Sequence, residues 1–213
     1  MSASNPFPSH YFIRYDDNDD GLFYTQPRLT VHIDDRAIGA LRAYLGRTLP
    51  PEAAILDLMS SYRTHLPDAL PTARVMGLGM NAEEMRQNPQ LDECVVQNLN
   101  KEPRLSFANE EFDAALCTVS VQYLTRPVEV FAEVARVLKP GAPLVVSFSN
   151  RCFPSKAVQI WLATNDTQHR ELVRSYFEHT AAYSRVELHD LLPVRWWGDP
   201  LYVVTGYRTT DVL

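Results

Sequence analysis

The stretch that decides the fold is AAILDLMSSYRTHLP, which runs from Ala53 to Pro67. Residues Ala53–Leu58 read as a strand buried on both faces of a parallel sheet, and Met59–His65 follow as a polar turn. In a doubly wound sheet, ligands bind beyond the carboxyl ends of such strands. The sequence therefore predicts a ligand site at the end of this first strand.

Working outward, short apolar runs bounded by turns alternate with helical patterns through the middle of the chain. The clearest helix is RPVEVFAEVARVLKPG, residues 126–141, where five apolar side chains from Val130 to Leu138 share one face. Right-handed crossovers would give an open sheet covered on both faces. The predicted strands are Ala53–Leu58, Arg74–Leu78, Cys94–Gln97, Asp113–Thr118 and Pro143–Ser149, and the other predicted helices of this region are Asn81–Gln87, Ser155–Ala163 and Gln168–His179.

The two ends of the chain depart from this alternation. SRVELHDLLPV and DPLYVVTGYR, within residues 184–208, are strand-like and predict a terminal antiparallel hairpin. Before the first strand, Asp34 or Asp35 is placed to cap a helix that Pro50 ends. We expect one domain over residues 1–213, with residues 1–50 as an N-terminal arm and helix that cover the ligand edge. The aspartate-rich segment 1–21 is expected to be a solvated tail.

Composition limits the function classes. A chain of 213 residues with 46% hydrophobic content suits one compact domain, and a formal charge of −6 argues against nucleic-acid binding. Three cysteines without metal-type spacing indicate neither a disulfide framework nor a zinc site. Without an apolar segment long enough for a membrane or a signal-peptide pattern, we expect a cytoplasmic protein whose partner is a small molecule.

Several stretches together resemble a known group. ILDL with its polar turn, VMGLGMNAEEM, QNLN, FDAALCTVSVQYL and EVARVLKPGAPLVVSFSN follow the order found in class I S-adenosylmethionine-dependent methyltransferases, particularly the type 11 group. The resemblance covers about Ile55 to Asn150. It implies an α/β Rossmann-like three-layer sandwich, with a mostly parallel seven-stranded sheet and a C-terminal antiparallel hairpin. It also implies S-adenosylmethionine as the cofactor, and the LDLMSS turn marks an atypical branch.

The turn after the first strand is glycine-rich in this superfamily, because the backbone must approach the methionine part of the cofactor closely. Here the turn is Met59, Ser60 and Ser61. The resemblance implies cofactor binding by these three residues, with the serine hydroxyls as donors to the carboxylate or contacts to the amine. The alternative is that the serines only cap the next helix.

At the end of the second strand the superfamily places an acidic residue that binds the ribose hydroxyls, but this chain has Gly79. Loss of a charge-assisted hydrogen bond weakens binding by about 1.5–3 kcal/mol unless another group replaces it. Asn81 is the best replacement by position, with Glu83 and Glu84 as further candidates. Asn81 is equally well placed to cap the helix that follows.

Two further positions in the sequence complete the predicted cofactor site. Asn98 falls where the superfamily commonly has an aspartate that accepts from the adenine amino group, and Leu99 offers an apolar surface for the ring. A strand-end turn is the other interpretation of Asn98. Ser120, after the fourth strand, falls where the superfamily faces both cofactor and acceptor.

Acceptor contacts are predicted at both ends of the ligand edge. Tyr24 and Arg28 are candidates for substrate binding in the arm, as are Gln122 and Arg151 after the fourth and fifth strands. The candidate catalytic residues are His32, which could take a proton from an acceptor, and Tyr123, which could orient it. A lone histidine is more often structural, and Tyr123 could simply pack.

Three functions remain open on the sequence. The first is methyl transfer from S-adenosylmethionine to a small-molecule acceptor. The second is a non-catalytic relative that binds a nucleoside ligand or a protein partner, which the altered turn and the missing ribose acid favour. The third, a nucleotide-dependent oxidoreductase, is disfavoured because no GxGxxG follows the first strand. The sequence favours the first.

Overall fold

The computed structural model describes residues 6–193 and 197–210. Within them, seven strands form one sheet in the order β3-β2-β1-β4-β5-β7-β6. β1 to β5 pair in parallel, and β7 is antiparallel to both β5 and β6. The predicted fold class, including the terminal hairpin, is confirmed. The strands are β1 Ala53–Leu58, β2 Thr72–Gly79, β3 Glu93–Val96, β4 Ala114–Thr118, β5 Pro143–Phe148, β6 Tyr183–Asp190 and β7 Tyr202–Arg208.

The helices form where the sequence supplies caps and apolar faces. The Asp34 side chain accepts from Ala37 N–H and begins the helix before β1, and Pro127 begins the helix after β4. The α-helices are α1 Asp20–Phe23, α2 Asp35–Thr48, α3 Ala82–Arg86, α4 Pro127–Val137, α5 Gln159–Leu162 and α6 Asp166–Thr180, and two short 3₁₀ helices span Ser9–Phe12 and Val121–Tyr123.

The helix predicted over Ser155–Ala163 is wrong in its first half. Its backbone donors are used elsewhere, because Val158 N–H bonds to the Gln122 carbonyl and Gln159 N–H bonds to the Ile13 carbonyl. Only α5 remains helical. The non-helical stretch before α5 buries Lys156 under the N-terminal arm.

The sheet carries a core on each face. Along β1, Leu56 and Leu58 belong to the core that contains α4 and α6, whereas Ile55 belongs to the core that contains α2. This alternation follows from the two-residue period of a strand. The result is three layers, with the carboxyl ends of the parallel strands left for loops and for the N-terminal arm.

The described part of segment 1–21 is not a solvated tail, which corrects the prediction. Asp16 N–H donates to the Ser155 carbonyl, and Lys156 Nζ donates to the carbonyls of Asp16 and Asn18. Lys156 is 1% exposed and also lies 3.3 Å from the Asp20 carboxylate. The acidic cluster is therefore fixed to the body of the domain, because its carboxylates form ion pairs with a buried lysine that is distant in sequence.

From Asp20 onward the arm crosses the carboxyl edge of the sheet. Asn100 Nδ2 donates to the Asp20 carboxylate at 3.0 Å, and further along Asn81 Nδ2 donates to the Tyr24 carbonyl at 2.8 Å. Arg28 N–H then donates to Glu84 Oε1 at 2.7 Å. These bonds join the arm to the loops after β2 and β3, where the sequence predicts the ligand site.

Lys156→Met tests whether the buried cation holds the arm. Removing one partner of a buried pair costs about 3–5 kcal/mol, so amide hydrogens over residues 13–20 should exchange at least about 100-fold faster. Hydrogen-exchange mass spectrometry measures this. Lys139→Met is the matched control, since Lys139 pairs with Asp113 at the surface and should change exchange in the arm by less than about twofold. Equal protection in both variants would contradict the anchoring role.

Candidate functional site

A cavity of about 530 Å³ lies at the carboxyl edge, between the arm and the loops after β1, β2, β3, β4 and β5. It brings together residues that are up to 140 positions apart in the chain, from Arg14 to Pro154. All of the predicted site residues except Gln122 line this cavity. The lining residues that the sequence predicted are Tyr24, Arg28, His32, Met59, Ser60, Ser61, Gly79, Asn81, Asn98, Leu99, Ser120, Tyr123 and Arg151.

The turn after β1 retains a glycine-like backbone without glycine. Met59 has φ of 54°, in the left-handed region that most side chains avoid at a cost of about 1–2 kcal/mol. Ser60 N–H donates to the Leu78 carbonyl at 2.8 Å, which fixes the turn against the end of β2. Backbone in this shape can approach a ligand in the cavity closely.

The serine hydroxyls of this turn are committed within the protein. Ser60 Oγ donates to Asp57 at 2.6 Å, and Ser61 Oγ donates to Glu84 at 2.6 Å. A hydroxyl has one hydrogen, so neither serine can also donate to a bound carboxylate. This corrects the predicted donor role and leaves the serine lone pairs as acceptors, for example for an amine.

Asp57 is a cavity residue that the sequence reasoning missed, because it was included in an apolar strand. It is buried and accepts hydrogen bonds from Ser60 and from Thr64 Oγ1, the latter at 2.9 Å. Burial raises the pKa of Asp57 to about 7, and the two hydroxyl donors only partly oppose that effect. The available signal was a lone acid at the ligand end of an otherwise apolar strand.

Asp57→Asn tests this burial through the pH dependence of stability. Between the ordinary pKa of 3.8 and about 7, the folded wild-type protein holds a proton that the unfolded chain has lost. The free energy of unfolding of the wild type relative to the variant should therefore fall as pH rises, by up to about 1.4 kcal/mol per pH unit, and level off above pH 7. Denaturant unfolding at several pH values measures it.

The control for that series is Asp68→Asn, which alters an exposed carboxylate paired with Arg42 at the surface. The free energy of unfolding of the wild type relative to Asp68→Asn should not fall as the pH rises from 3.8 to about 7. A wild-type minus Asp57→Asn difference that stays flat, or rises with pH, would show that the Asp57 carboxylate is not desolvated.

Gly79 occupies the place of the superfamily's ribose acid because no side chain fits there. A Cβ atom at this position would lie 2.2 Å from the Ser60 carbonyl oxygen and 3.0 Å from Met85 Sδ. The turn after β1 therefore packs directly on β2 and excludes an acid at this position. Two buried acids adjoin this turn: Asp57 accepts from Ser60 Oγ, and Glu84 accepts from Ser61 Oγ.

Gly79→Ala tests the close approach. Because backbone atoms and not a flexible side chain would have to move, we expect a loss of about 1–3 kcal/mol in the free energy of unfolding. Gly39→Ala is the matched control, since nothing lies within 4 Å of a Cβ at that helical position. It should be neutral or stabilising by up to about 1 kcal/mol. Thermal or urea unfolding compares them, and an unaffected Gly79→Ala variant would refute the contact.

Asn81 has the capping role that the sequence left open. Its Oδ1 accepts from the N–H groups of Glu83 and Glu84, and its Nδ2 donates to the Tyr24 carbonyl. These bonds use both ends of the amide, so Asn81 is poorly placed to replace the ribose acid. Glu83 is exposed and does not line the cavity.

In the loop after β3, Leu99 is buried and lines the cavity. Asn98 Oδ1 accepts from Asn100 N–H at 3.0 Å, which is the strand-end turn interpretation, and a second lone pair remains for a ligand. Ser120 lines the cavity after β4, and its Oγ lies 3.4 Å from the buried Cys117 Sγ.

An aromatic cluster around Phe153 lies at the other half of the cavity, where Phe153, Tyr123 and His32 are lining residues. The Phe153 ring contacts Tyr123, Phe23 and His32 at centroid distances of 6.0, 5.5 and 5.4 Å. Tyr123 Oη accepts from Phe153 N–H at 2.8 Å, and burial raises the pKa of Tyr123 to about 12. Burial lowers the pKa of His32, so its imidazole is neutral near pH 7 and can accept a proton.

Two predicted substrate residues are placed differently from expectation. Gln122 is buried outside the cavity lining and donates to the Val119 carbonyl, so contact with an acceptor is not supported. Arg151 lines the cavity, but its Nε is 2.7 Å from Asp199, whose other oxygen accepts from Asp34 N–H. Arg151 thus ties the loop after β5 to the start of α2.

Comparison with known proteins points to one group. Residues 61–146 match a family model described as a methyltransferase domain, of the type 11 group. A curated relative, the methyltransferase phqN of Penicillium fellutanum, is 39% identical over 79 residues. That alignment covers 33% of this chain and 23% of phqN, so the chain spans less than a quarter of that relative's length.

Solved structures agree on the architecture. A chain in the complex of the Haloferax volcanii Trm112 methyltransferase activator with a methyltransferase has a TM-score of 0.61 at 16% identity, covering 82% of this chain and 91% of that one. An S-adenosylmethionine-dependent methyltransferase from Mesorhizobium loti has a TM-score of 0.55 at 16% identity, covering 79% and 98%. At these identities the likeness shows the fold.

These findings confirm the resemblance to class I S-adenosylmethionine-dependent methyltransferases. The chain has their fold, and its matched segment 61–146 includes Ser61, Gly79, Asn98 and Tyr123 of the candidate site. No helix within residues 6–193 and 197–210 is long and apolar enough to cross a membrane. The same residues contain no group of three or more side chains suited to hold a metal ion.

Proposed function

We propose that the protein is an S-adenosylmethionine-dependent methyltransferase that acts on a small-molecule acceptor. The observation that carries the proposal is the continuous cavity of about 530 Å³ at the carboxyl edge of β1, β2 and β4. Small-molecule sites typically measure about 300–1,000 Å³ and lie at this edge in open α/β sheets. One space is large enough for a nucleoside cofactor beside a small acceptor.

The residues on the β1–β2 side fit the cofactor. Met59 holds the turn in its close-approach conformation, and Leu99 supplies an apolar surface for adenine. Glu84 takes the part of the missing ribose acid, since each of its oxygens accepts one bond in the structure and has a second lone pair. S-adenosylmethionine, when bound, supplies an activated methyl group.

The residues on the β4–β5 side fit the acceptor. Positioning supplies much of the rate in such a transfer, and the rings of Phe153 and Tyr123 provide walls that fix a flat molecule. Neutral His32, edge-on to Phe153, would take the proton that an acceptor O–H or N–H gives up. Tyr123 remains protonated, so it orients groups and does not act as a base.

A non-catalytic, ligand-binding relative is the second candidate. Hydrogen bonds within the protein favour it, because Ser60 and Ser61 donate their hydroxyl hydrogen bonds to Asp57 and Glu84, and Asn81 binds backbone groups through both ends of its amide. Such a protein would bind the nucleoside part of the cofactor and form no methylated product. Incubation with radiolabelled S-adenosylmethionine and a panel of small hydroxy and amino compounds distinguishes the two.

Leu99→Ala tests cofactor binding in the cavity. Losing this buried surface removes about 1.5–3 kcal/mol of contact, so the Kd for S-adenosylhomocysteine should rise about 10-fold or more in calorimetric titration. Leu105→Ala is the matched control, because Leu105 and Leu99 are 2% and 4% exposed in the same core and Leu105 does not line the cavity. Both lose stability, but Leu105→Ala should keep the wild-type Kd within about twofold. A wild-type protein that fails to bind at millimolar ligand would reject the proposal.

A further inference from the structure

Arg28 lies between the two halves of the cavity. Its backbone N–H donates to Glu84, the residue that holds Ser61 on the cofactor side. Its side chain extends to the aromatic cluster, where the guanidinium carbon lies 4.3 Å from the Phe23 ring centroid and 5.5 Å from that of Phe153. The charge of Arg28 is therefore on the side proposed for the acceptor.

The Arg28 guanidinium is largely without partners among the described residues. Nη2 donates to the Phe23 carbonyl at 3.0 Å, whereas Nη1 is buried and makes no hydrogen bond. No carboxylate of the described residues lies within ion-pair distance of it, and Glu84 contacts only its backbone. A buried guanidinium donor without an acceptor is unfavourable, and a bound anion would supply the missing acceptor.

The other arginines of the cavity differ from Arg28. Arg14 lies 2.7 Å from the Asp20 carboxylate, and Arg151 is paired with Asp199. Arg63 donates to the Tyr62 and Gln87 carbonyls, on the α3 side, away from the aromatic cluster. Among the cavity arginines in the described part of the chain, Arg28 alone presents an uncompensated charge beside Phe153.

We propose that Arg28 binds a carboxylate on the methyl acceptor, and that the acceptor is a small aromatic acid. A guanidinium recognises a carboxylate by two parallel hydrogen bonds, and the cation is held on ring faces that also suit a flat ligand. Phe153 contacts both the Arg28 guanidinium and the His32 ring. One aromatic acid can therefore place its carboxylate on Arg28 and its nucleophilic O–H or N–H near His32. This inference rests on the proposed function.

The experiment uses the protein saturated with S-adenosylhomocysteine and three matched pairs of probes: benzoate and benzamide, 4-hydroxybenzoate and its amide, and 4-hydroxyphenylacetate and its amide. Calorimetric titration or ligand-observed NMR gives each Kd. At least one acid should bind the wild type about 10-fold or more tightly than its amide. Arg28→Gln should abolish that preference, Arg28→Lys should retain part of it, and Arg63→Gln should retain it fully.

The second arm separates the acceptor's carboxylate from that of the cofactor. S-adenosylhomocysteine carries a carboxylate and 5′-methylthioadenosine does not, so Arg28→Gln should leave the Kd of both unchanged within about twofold. A selective loss of S-adenosylhomocysteine binding in Arg28→Gln would overturn the inference, as would a wild type without preference for any acid. Failure of the wild type to bind S-adenosylhomocysteine would instead reject the proposed function. Circular dichroism and melting curves verify that each variant is folded.

Discussion

The contact on which the candidate site depends is the packing of the Ser60 carbonyl against Gly79. These positions follow β1 and end β2, and a Cβ atom on Gly79 would lie only 2.2 Å from that carbonyl oxygen. The contact sets the shape of the turn after β1, together with the bond from Ser60 N–H to Leu78. It also leaves no room for an acidic side chain at the end of β2. The absence of the ribose acid thus has a steric cause.

Buried carboxylates then organise the site around that contact. Asp57 accepts a hydrogen bond from the Ser60 hydroxyl, and Glu84 accepts one from the Ser61 hydroxyl. Glu84 also accepts from Arg28 N–H in the arm. Each of these carboxylates is removed from water and therefore gains from every hydrogen bond that the fold supplies. The turn, the first turn of α3 and the arm are consequently one hydrogen-bonded unit. A ligand in the cavity would contact all three parts.

The sequence predicted the elements better than their contacts. β1 matched its predicted bounds, and the terminal hairpin and the cap at Asp34 formed as expected, because each depends on local pattern and turn chemistry. The helix predicted over Ser155–Ala163 was too long at its start, because tertiary hydrogen bonds use the backbone N–H groups of Val158 and Gln159. The acidic segment was misjudged because its cation, Lys156, is 136 positions away from Asp20 in the chain. Patterns within a window cannot reveal such a partner.

By itself, the sequence determined the α/β architecture, the ligand edge and thirteen of the residues that line the cavity. The strands and helices follow from the two-residue and 3.6-residue periods, which are local properties, whereas the cofactor-site residues follow from the resemblance to the methyltransferases. Only the tertiary structure decided which polar groups remain free for a ligand. Ser60, Ser61 and Asn81 are committed to the protein, whereas Nη1 of Arg28 has no hydrogen-bond partner among the described residues. Hydrogen-bond pairing depends on distances between segments far apart in the chain, and those distances exist only after folding.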